Sequence, residues 1–339
     1  MTSPRVEIDL GKIQANARYL VRRLGARGIS VTGVTKAVCG HPDVAVAMLD
    51  GGVAGLADAR IANLFRMRTA EIKCPISMIR APMVSDMEDA IQYCDVSYNT
   101  EMDTILKLGA AAKQQATSHG VILMVEMGDM REGILPESLN DFAARIIAMP
   151  GVALKGIAAN FACMGNVAPT GGDMAMLSQL ADKVEGACGP FVALVSGGGS
   201  ASLPWALGRG STGRVNNLRL GEAILLGTDP LTGQPITGLH TDAFALFAEV
   251  IESSRKPSSP PTRTIAPELG KLKLVRNDDL RTRTILAVGQ QDTDASGLTF
   301  PSEILFIGAT SDHAVVDTTK SAVSVGSEMK MGMNYSALM

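Results

Sequence analysis

Lys36 closes the apolar run Ile29-Ser30-Val31-Thr32-Gly33-Val34-Thr35 and is followed at once by Ala37, Val38, Cys39 and Gly40. A lysine placed where a short strand runs out into a small-residue loop can be desolvated, and so made nucleophilic near neutral pH. That is the chemistry of a Schiff-base lysine. The alternative is a strand-end lysine that lays its stem on apolar surface and keeps its ammonium in water. Three further groups bear on the choice. Ser196-Gly197-Gly198-Gly199-Ser200 follows an apolar run and opens a helical one, so its N–H groups and hydroxyls can converge on a phosphate, although a glycine-rich stretch is also a plain turn. Arg219, in Asn217-Leu218-Arg219-Leu220-Gly221-Glu222, is either a site cation or half of an ion pair with Glu222. Arg131, in Gly128-Asp129-Met130-Arg131-Glu132-Gly133, has carboxylates on both sides.

These groups can cooperate only if the fold brings them to one face. After residues 6–10, apolar positions Ile13, Ala17, Leu20, Val21 and Leu24 repeat at helical spacing, with Asp9 available as the cap. The strand ending at Lys36 follows. A strand–turn–helix alternation then runs through 55–57 and 58–68, 76–79 and 84–93, 95–97 and 100–115, 121–125 and 139–148, 152–158 and 173–187, and 191–195 and 201–207. With a last strand at 217–220, the pattern predicts an α/β fold, a closed eight-stranded (β/α) barrel over residues 1–228. Beyond about Gly227 the texture turns to Pro, Gly, Thr and Ser with β-rich runs at 284–288, 303–307 and 314–316, which predicts a smaller, mostly β domain over 229–339. Residues 253–261 read as an exposed loop, and Met124, Met127 and Met130 as core filling. In a barrel, strand ends share one rim, and phosphate is commonly held after strands seven and eight. A lysine, a phosphate cradle and two arginines on that rim are what a pyridoxal phosphate site requires.

Composition narrows the partners. The 339 residues are 46% hydrophobic and 19% charged, enough to bury a large core, and 31 basic against 34 acidic residues leave a net charge of −3 with no long single-sign block. No nucleic-acid or membrane partner is expected, and a small metabolite is. The five cysteines fall in no zinc-type or C-x-x-C spacing, and the N-terminus carries Arg5, Glu7 and Asp9 where a signal peptide needs an apolar core, so a reducing cytoplasm is expected.

The same landmarks carry a family resemblance. Glu7-Ile8-Asp9-Leu10 with Asn16, then Val34-Thr35-Lys36-Ala37, Arg131-Glu132-Gly133, residues 196–200 and Arg219-Leu220-Gly221 resemble, in order, the alanine racemase type (fold type III) of pyridoxal phosphate enzymes. Residues 35–40, 128–134 and Ser311-Asp312-His313 are more similar to the ornithine racemase branch. The resemblance implies that Lys36 holds the cofactor as a Schiff base, that Ser196, Gly197, Gly198, Gly199 and Ser200 contact its phosphate, and that Arg219 faces its pyridine nitrogen. It implies that Arg131 lies beside the phenolic oxygen and the substrate carboxylate. The family's supporting carbamylated lysine has no match, and Glu126 or Asp129 is expected to substitute for it.

Departures sharpen the expectation. Asn160 stands for the family histidine as a cofactor contact, Gly40 for a tyrosine, and Gln290 for the tyrosine that a partner subunit supplies as the second acid/base. Glutamine cannot exchange a proton. His313 is the first candidate to replace it, because its ordinary pKa suits proton transfer near neutrality, with Tyr335, Cys39 or a water as alternatives. Asp312, Asp292 or Asp294 could bind the distal ammonium of a basic substrate; Asp312 is the one assigned. The expectation is a racemase of a free amino acid, ornithine or another basic one, working as a head-to-tail homodimer with no metal. Two other functions stay open: a non-catalytic pyridoxal phosphate-binding protein of homeostasis, and a D-amino-acid lyase of the same fold type.

Overall fold

The computed structural model describes residues 2–189, 192–258, 262–265, 272–275 and 279–339. They form two compact units, Asp9–Ala243 and Met1–Ile8 with Phe244–Met339. After β1 (Arg5–Ile8) the first unit opens with α1 (Leu10–Gly25). Its N-cap, Asp9, accepts a hydrogen bond from the Lys12 amide at 3.0 Å, and its apolar stripe of Ile13, Ala17, Leu20 and Leu24 is fully buried. Eight parallel strands then close into a barrel: β2 (Ser30–Val34), β3 (Gly55–Asp58), β4 (Ile76–Met78), β5 (Val96–Asn99), β6 (His119–Val125), β7 (Val152–Ala159), β8 (Leu194–Ser196) and β9 (Asn217–Leu220). β2 pairs with β9, Thr32 opposite Arg219 and Gly33 opposite Leu220, which sets the lysine strand beside the arginine strand.

The helices that follow them are α2 (Pro42–Asp50), α3 (Ile61–Thr69), α4 (Met87–Tyr93), α5 (Met102–Gln114), α6 (Leu139–Ile147), α7 (Gly171–Cys188), α8 (Leu203–Ala206) and α9 (Glu222–Leu226). β6 is buried along its whole length, as a parallel strand covered on both faces must be. α7 starts from a reciprocal capping box, Thr170 with Asp173. α2 is a helix that strand–helix alternation passed over; Pro42 in its first turn was its sequence signal. The strand expected over 191–195 is observed as Leu194–Ser196, and residue 191 lies outside the described residues.

The second unit is a seven-stranded sheet. Its strands are β1, β10 (Phe244–Pro257), β13 (Leu280–Leu286), β14 (Leu298–Thr299), β15 (Leu305–Ala309), β16 (Ala314–Asp317) and β17 (Glu328–Met333). A separate pair is formed by β11 (Thr262–Ile265) and β12 (Leu272–Val275), and α10 (Tyr335–Leu338) ends the chain. β1 pairs with β10, Arg5 opposite Phe247 and Ile8 opposite Phe244, so the N-terminal strand belongs with the C-terminal unit. The sheet packs Leu246, Val250, Leu286, Val316 and Met331 into one core.

Two expectations fail here. Residues 253–257 are not loop: Ser253 pairs with Thr284 and Pro257 with Leu280, because a ladder satisfies the backbone of a polar stretch whatever its side chains. Residues 259–261 of that expected loop lie outside the described residues. Met130 is 81% exposed with φ of 54° in a tight turn, so it fills no core, although Met124 does.

Among the described residues no helix is long and apolar enough to cross a membrane. Between β5 and β6, the Ser97 hydroxyl meets His119 Nε2 at 2.8 Å, and Asn99 Nδ2 donates to Ser97 Oγ at 2.9 Å. Burial pushes the His119 imidazole down to about 4, against a smaller opposing pull from Asp95. A base with a depressed folded pKa contributes stability that is complete above its unfolded value and lost as the pH falls toward the folded one. Unfolding free energies from pH 7 to pH 4 should therefore show a His119 contribution, on the order of 3 kcal/mol, disappearing below about 6.5. His119→Asn should flatten that slope; an unchanged slope would show that the imidazole is not held neutral by the fold.

Candidate active site

Lys36 opens a single 3-10 turn, Lys36–Val38, immediately after β2. The residue is half-buried, and its ammonium has no hydrogen bond and no carboxylate within 4 Å among the described residues. Gly40, four residues on, has φ of 64°, and a Cβ there would stand 2.8 Å from both Cβ and the carbonyl oxygen of Asn63. A tyrosine at 40 is sterically excluded.

The next strand, β9, carries Arg219, which is 6% exposed. All its hydrogen-bond partners among the described residues are neutral. Nη1 donates to Ser196 Oγ at 2.6 Å, and Nη2 donates to the Ala159 carbonyl at 2.9 Å and to Asn160 Oδ1 at 2.7 Å. The guanidinium also lies over the Tyr98 ring, 5.0 Å from its centroid. The ion pair with Glu222 that the sequence allowed is absent. A buried cation without a counter-charge is costly, and neutral acceptors and a ring face offset the cost only in part. A guanidinium has five N–H donors. Three serve these acceptors, and the Tyr98 hydroxyl also hydrogen-bonds the guanidinium.

Beside Arg219 lies the glycine turn. Its β8 end is stitched down by Gly197 N to the Asn217 carbonyl at 3.0 Å and Ser202 Oγ to the Gly197 carbonyl at 2.7 Å. The amides of Gly198, Gly199 and Ser200 have no acceptor among the described residues. Ser200 Oγ accepts from the Ala223 amide at 3.2 Å, which joins the turn to the start of α9. Gly198 has φ of 99°, and a Cβ there would approach Ser202 Oγ to 2.7 Å; at Gly197 it would meet Val215 Cγ1 at 2.7 Å. The turn is a backbone cradle that side chains would close. Ser196 Oγ donates its one proton to Asn217 Oδ1 at 2.7 Å and accepts from Arg219, so its hydroxyl acts by orienting Arg219.

Asn160 extends this network. Its Nδ2 donates to Glu132 Oε1 at 3.2 Å, and Glu132 receives Arg131, with Nη2 at 2.6 Å from Oε1. Neither carboxylate expected to support Arg131 is its main partner. Glu126 accepts the amides of Gly128 and Met130, capping the turn. Asp129 turns Oδ1 toward the amides of Cys163 and Met164 and leaves Oδ2, buried and without a hydrogen bond, 3.9 Å from Arg131 Nε. Glu132, adjacent in sequence, takes that place and links the two arginines through Asn160. Glu222 is a second residue that motif reading overlooked. Burial and Asp229 raise its carboxyl to about 7, while Thr228 and, more weakly, the charge of Lys36 pull it down.

Asp312 and His313 lie in the other unit. Gln290 N donates to the Thr310 carbonyl and Gln291 N to the Ser311 carbonyl, both at 2.9 Å, which zips the 290–291 loop to the 310–313 turn. His313 Nδ1 meets Asp312 Oδ1 at 2.8 Å, and hydrogen bonds from His313 and Ser311 hold the Asp312 carboxyl below the usual range. Asp294 is committed to Ser296 and Ser336, and Asp292 accepts the Gly289 amide. The arrangement on the barrel rim suits an anionic, ring-bearing ligand with an electrophilic carbon.

Comparison with known proteins places this geometry. A family model, "Alanine racemase, N-terminal domain", matches residues 8–229. An ornithine racemase of Acetoanaerobium sticklandii is 34% identical over 99% of this chain and 96% of its own length. A lysine racemase of Thermotoga maritima is 34% identical over 100% of this chain and 96% of its own. The solved alanine racemase from E. faecalis superposes with a TM-score of 0.73 at 19% identity, covering 97% of this chain and 88% of that one, which shows a shared fold. The match over the whole barrel and the two near-full-length relatives establish that this chain belongs to the alanine racemase family.

Proposed function

We propose that the protein racemises a free basic amino acid, ornithine or lysine, with pyridoxal phosphate as cofactor. The observation that carries the reading is Arg219: a buried guanidinium whose partners among the described residues are all neutral, with an open glycine cradle beside it whose amides have no acceptor there. A pyridine nitrogen and a phosphate supply what these groups lack, so the residues present fit the cofactor. The relatives named for ornithine and lysine set the substrate class.

When bound, the cofactor supplies an aldehyde for amines and a conjugated ring that spreads the electron pair left when a proton leaves Cα. Lys36 would hold it covalently, with Gly198, Gly199 and Ser200 donating amides to its phosphate. Arg219 would donate to the ring nitrogen without protonating it, because a guanidinium does not give up its proton. That weakens electron withdrawal and favours prompt return of a proton to Cα. Arg131, steadied by Glu132, would take the substrate carboxylate.

Lys36 would exchange the Cα proton on one face, and His313 from a second copy of the chain on the other, in a head-to-tail homodimer whose residues 229–339 complete the partner's site. Two contacts support His313. It adjoins the turn zipped to Gln290, the position of the family's tyrosine, and Asp312 can fix its tautomer by accepting Nδ1–H, leaving Nε2 as the base. Asp312 Oδ2, without a hydrogen bond among the described residues, is then the acceptor for a distal ammonium. The five free cysteines suit a reducing cytoplasm.

Incubation with ornithine or lysine in deuterated water should give loss of optical activity together with deuterium at Cα. Lys36→Ala should abolish both, and borohydride should no longer attach the cofactor to the chain. If no basic amino acid acquires Cα deuterium, the reading is wrong. His313→Asn should separate the two faces: wash-in of deuterium into one enantiomer persists while inversion falls about 100-fold. Undiminished inversion would assign the second acid/base elsewhere.

A further inference from the structure

We propose that Asp58 is a positioning residue for Lys36, acting through the Thr35 hydroxyl; the inference rests on the reading of Lys36 as the covalent anchor. Asp58 ends β3, the neighbour of β2, and is fully buried with no basic nitrogen within 4 Å among the described residues. Its charge is met by four donors. Oδ1 accepts the Ala59 amide at 2.7 Å, the Arg60 amide at 3.1 Å and Asn63 Nδ2 at 2.8 Å, and Oδ2 accepts Thr35 Oγ1 at 2.7 Å. A carboxylate buried this deeply holds only if its donors are fixed, and it fixes them in return.

Three of the four contacts belong to Asp58's own neighbourhood at the start of α3, where they cap the turn. The fourth reaches into the segment that bears the lysine. Thr35 is itself fully buried, its amide donates to the Ala57 carbonyl at 2.9 Å, and its carbonyl accepts the Gly40 amide at 3.2 Å. The far end of the segment is held by the same helix: Arg66 Nη1 donates to the Cys39 carbonyl at 2.8 Å, and Gly40 packs against Asn63 too closely to admit a Cβ. The 3-10 turn that starts at Lys36 is therefore clamped to the β3–α3 corner at both ends. Rotation of this turn about its first residue would break the Thr35–Asp58 bond and leave a buried anion short of a donor, which costs more than a surface contact. Asp58 thus determines where the ε-amine points, while the ammonium has no hydrogen-bond partner of its own among the described residues.

The test separates aim from stability. Thr35→Val keeps the shape of the side chain and every contact of Asp58 to the α3 corner, removing only the hydroxyl. Attachment of pyridoxal phosphate to Lys36, trapped with borohydride and located by mass spectrometry, should slow about tenfold, with kcat falling similarly and KM little changed. Thr35→Ser should restore both. In the cofactor-free chain, the acylation rate of Lys36 relative to the other lysines should change in Thr35→Val and return in Thr35→Ser. Asp58→Asn, of equal size, should reproduce the Thr35→Val loss and serves if that variant does not fold. Wild-type attachment and relative acylation in both Thr35→Val and Asp58→Asn would overturn the proposal. If the parent chain takes up no cofactor at Lys36, the proposed function falls, and the acylation comparison still decides the role of Asp58.

Discussion

The site is organised around a cation buried without a counter-charge among the described residues. Arg219 is held by a serine hydroxyl, a backbone carbonyl, an asparagine carbonyl and a tyrosine ring, and the serine and the asparagine are in turn fixed from elsewhere. Ser196 is fixed by Asn217, and Asn160 by Glu132 and through it Arg131. A carboxylate in place of Ser196 or Asn160 would neutralise the guanidinium, but it would also occupy the donors that a ligand needs. Stability is given up there for a directed field, the usual signature of a binding position.

A second constraint concerns what the lysine lacks. Lys36 has no carboxylate within 4 Å among the described residues, and its turn is clamped by a buried carboxylate that contacts Thr35 instead. Glu222, which interacts electrostatically with the lysine, is raised to about 7 chiefly by burial. At neutral pH this group is divided between neutral and charged forms, so the charge around the lysine is not fixed by a permanent ion pair. An amine left unpaired is available for covalent chemistry, and one that was salt-bridged would first have to lose its partner.

Much of the fold was legible because parallel barrel strands are continuous apolar runs and their helices carry one apolar face. The strand at Asn217–Leu220 and the cap at Asp9 read directly from residue type. Residues 253–257 did not, because their Ser, Arg, Lys and Pro composition signals a loop and only pairing with Leu280–Leu286 makes them strand. In the site, Lys36, Arg219 and the glycine turn were visible as motifs, since each announces its chemistry by type and placement. Their supports were not. Asp58 meets Thr35 from 23 positions away, and Glu132 reaches Asn160 from 28, distances that no local spacing encodes. Glu132 stood beside Arg131 in the motif, but neighbours in sequence rarely face one another, so Glu126 and Asp129 drew the assignment.

The protonation of the cofactor's ring nitrogen tests the role of Arg219 most directly. With pyridoxal phosphate labelled at that nitrogen and bound to the wild-type chain, the 15N resonance should lie in the range of an unprotonated pyridine that accepts a hydrogen bond, and stay there as the pH is lowered toward 6. A resonance in the pyridinium range would contradict the account, because a guanidinium cannot face a protonated nitrogen and Arg219 would then serve another purpose.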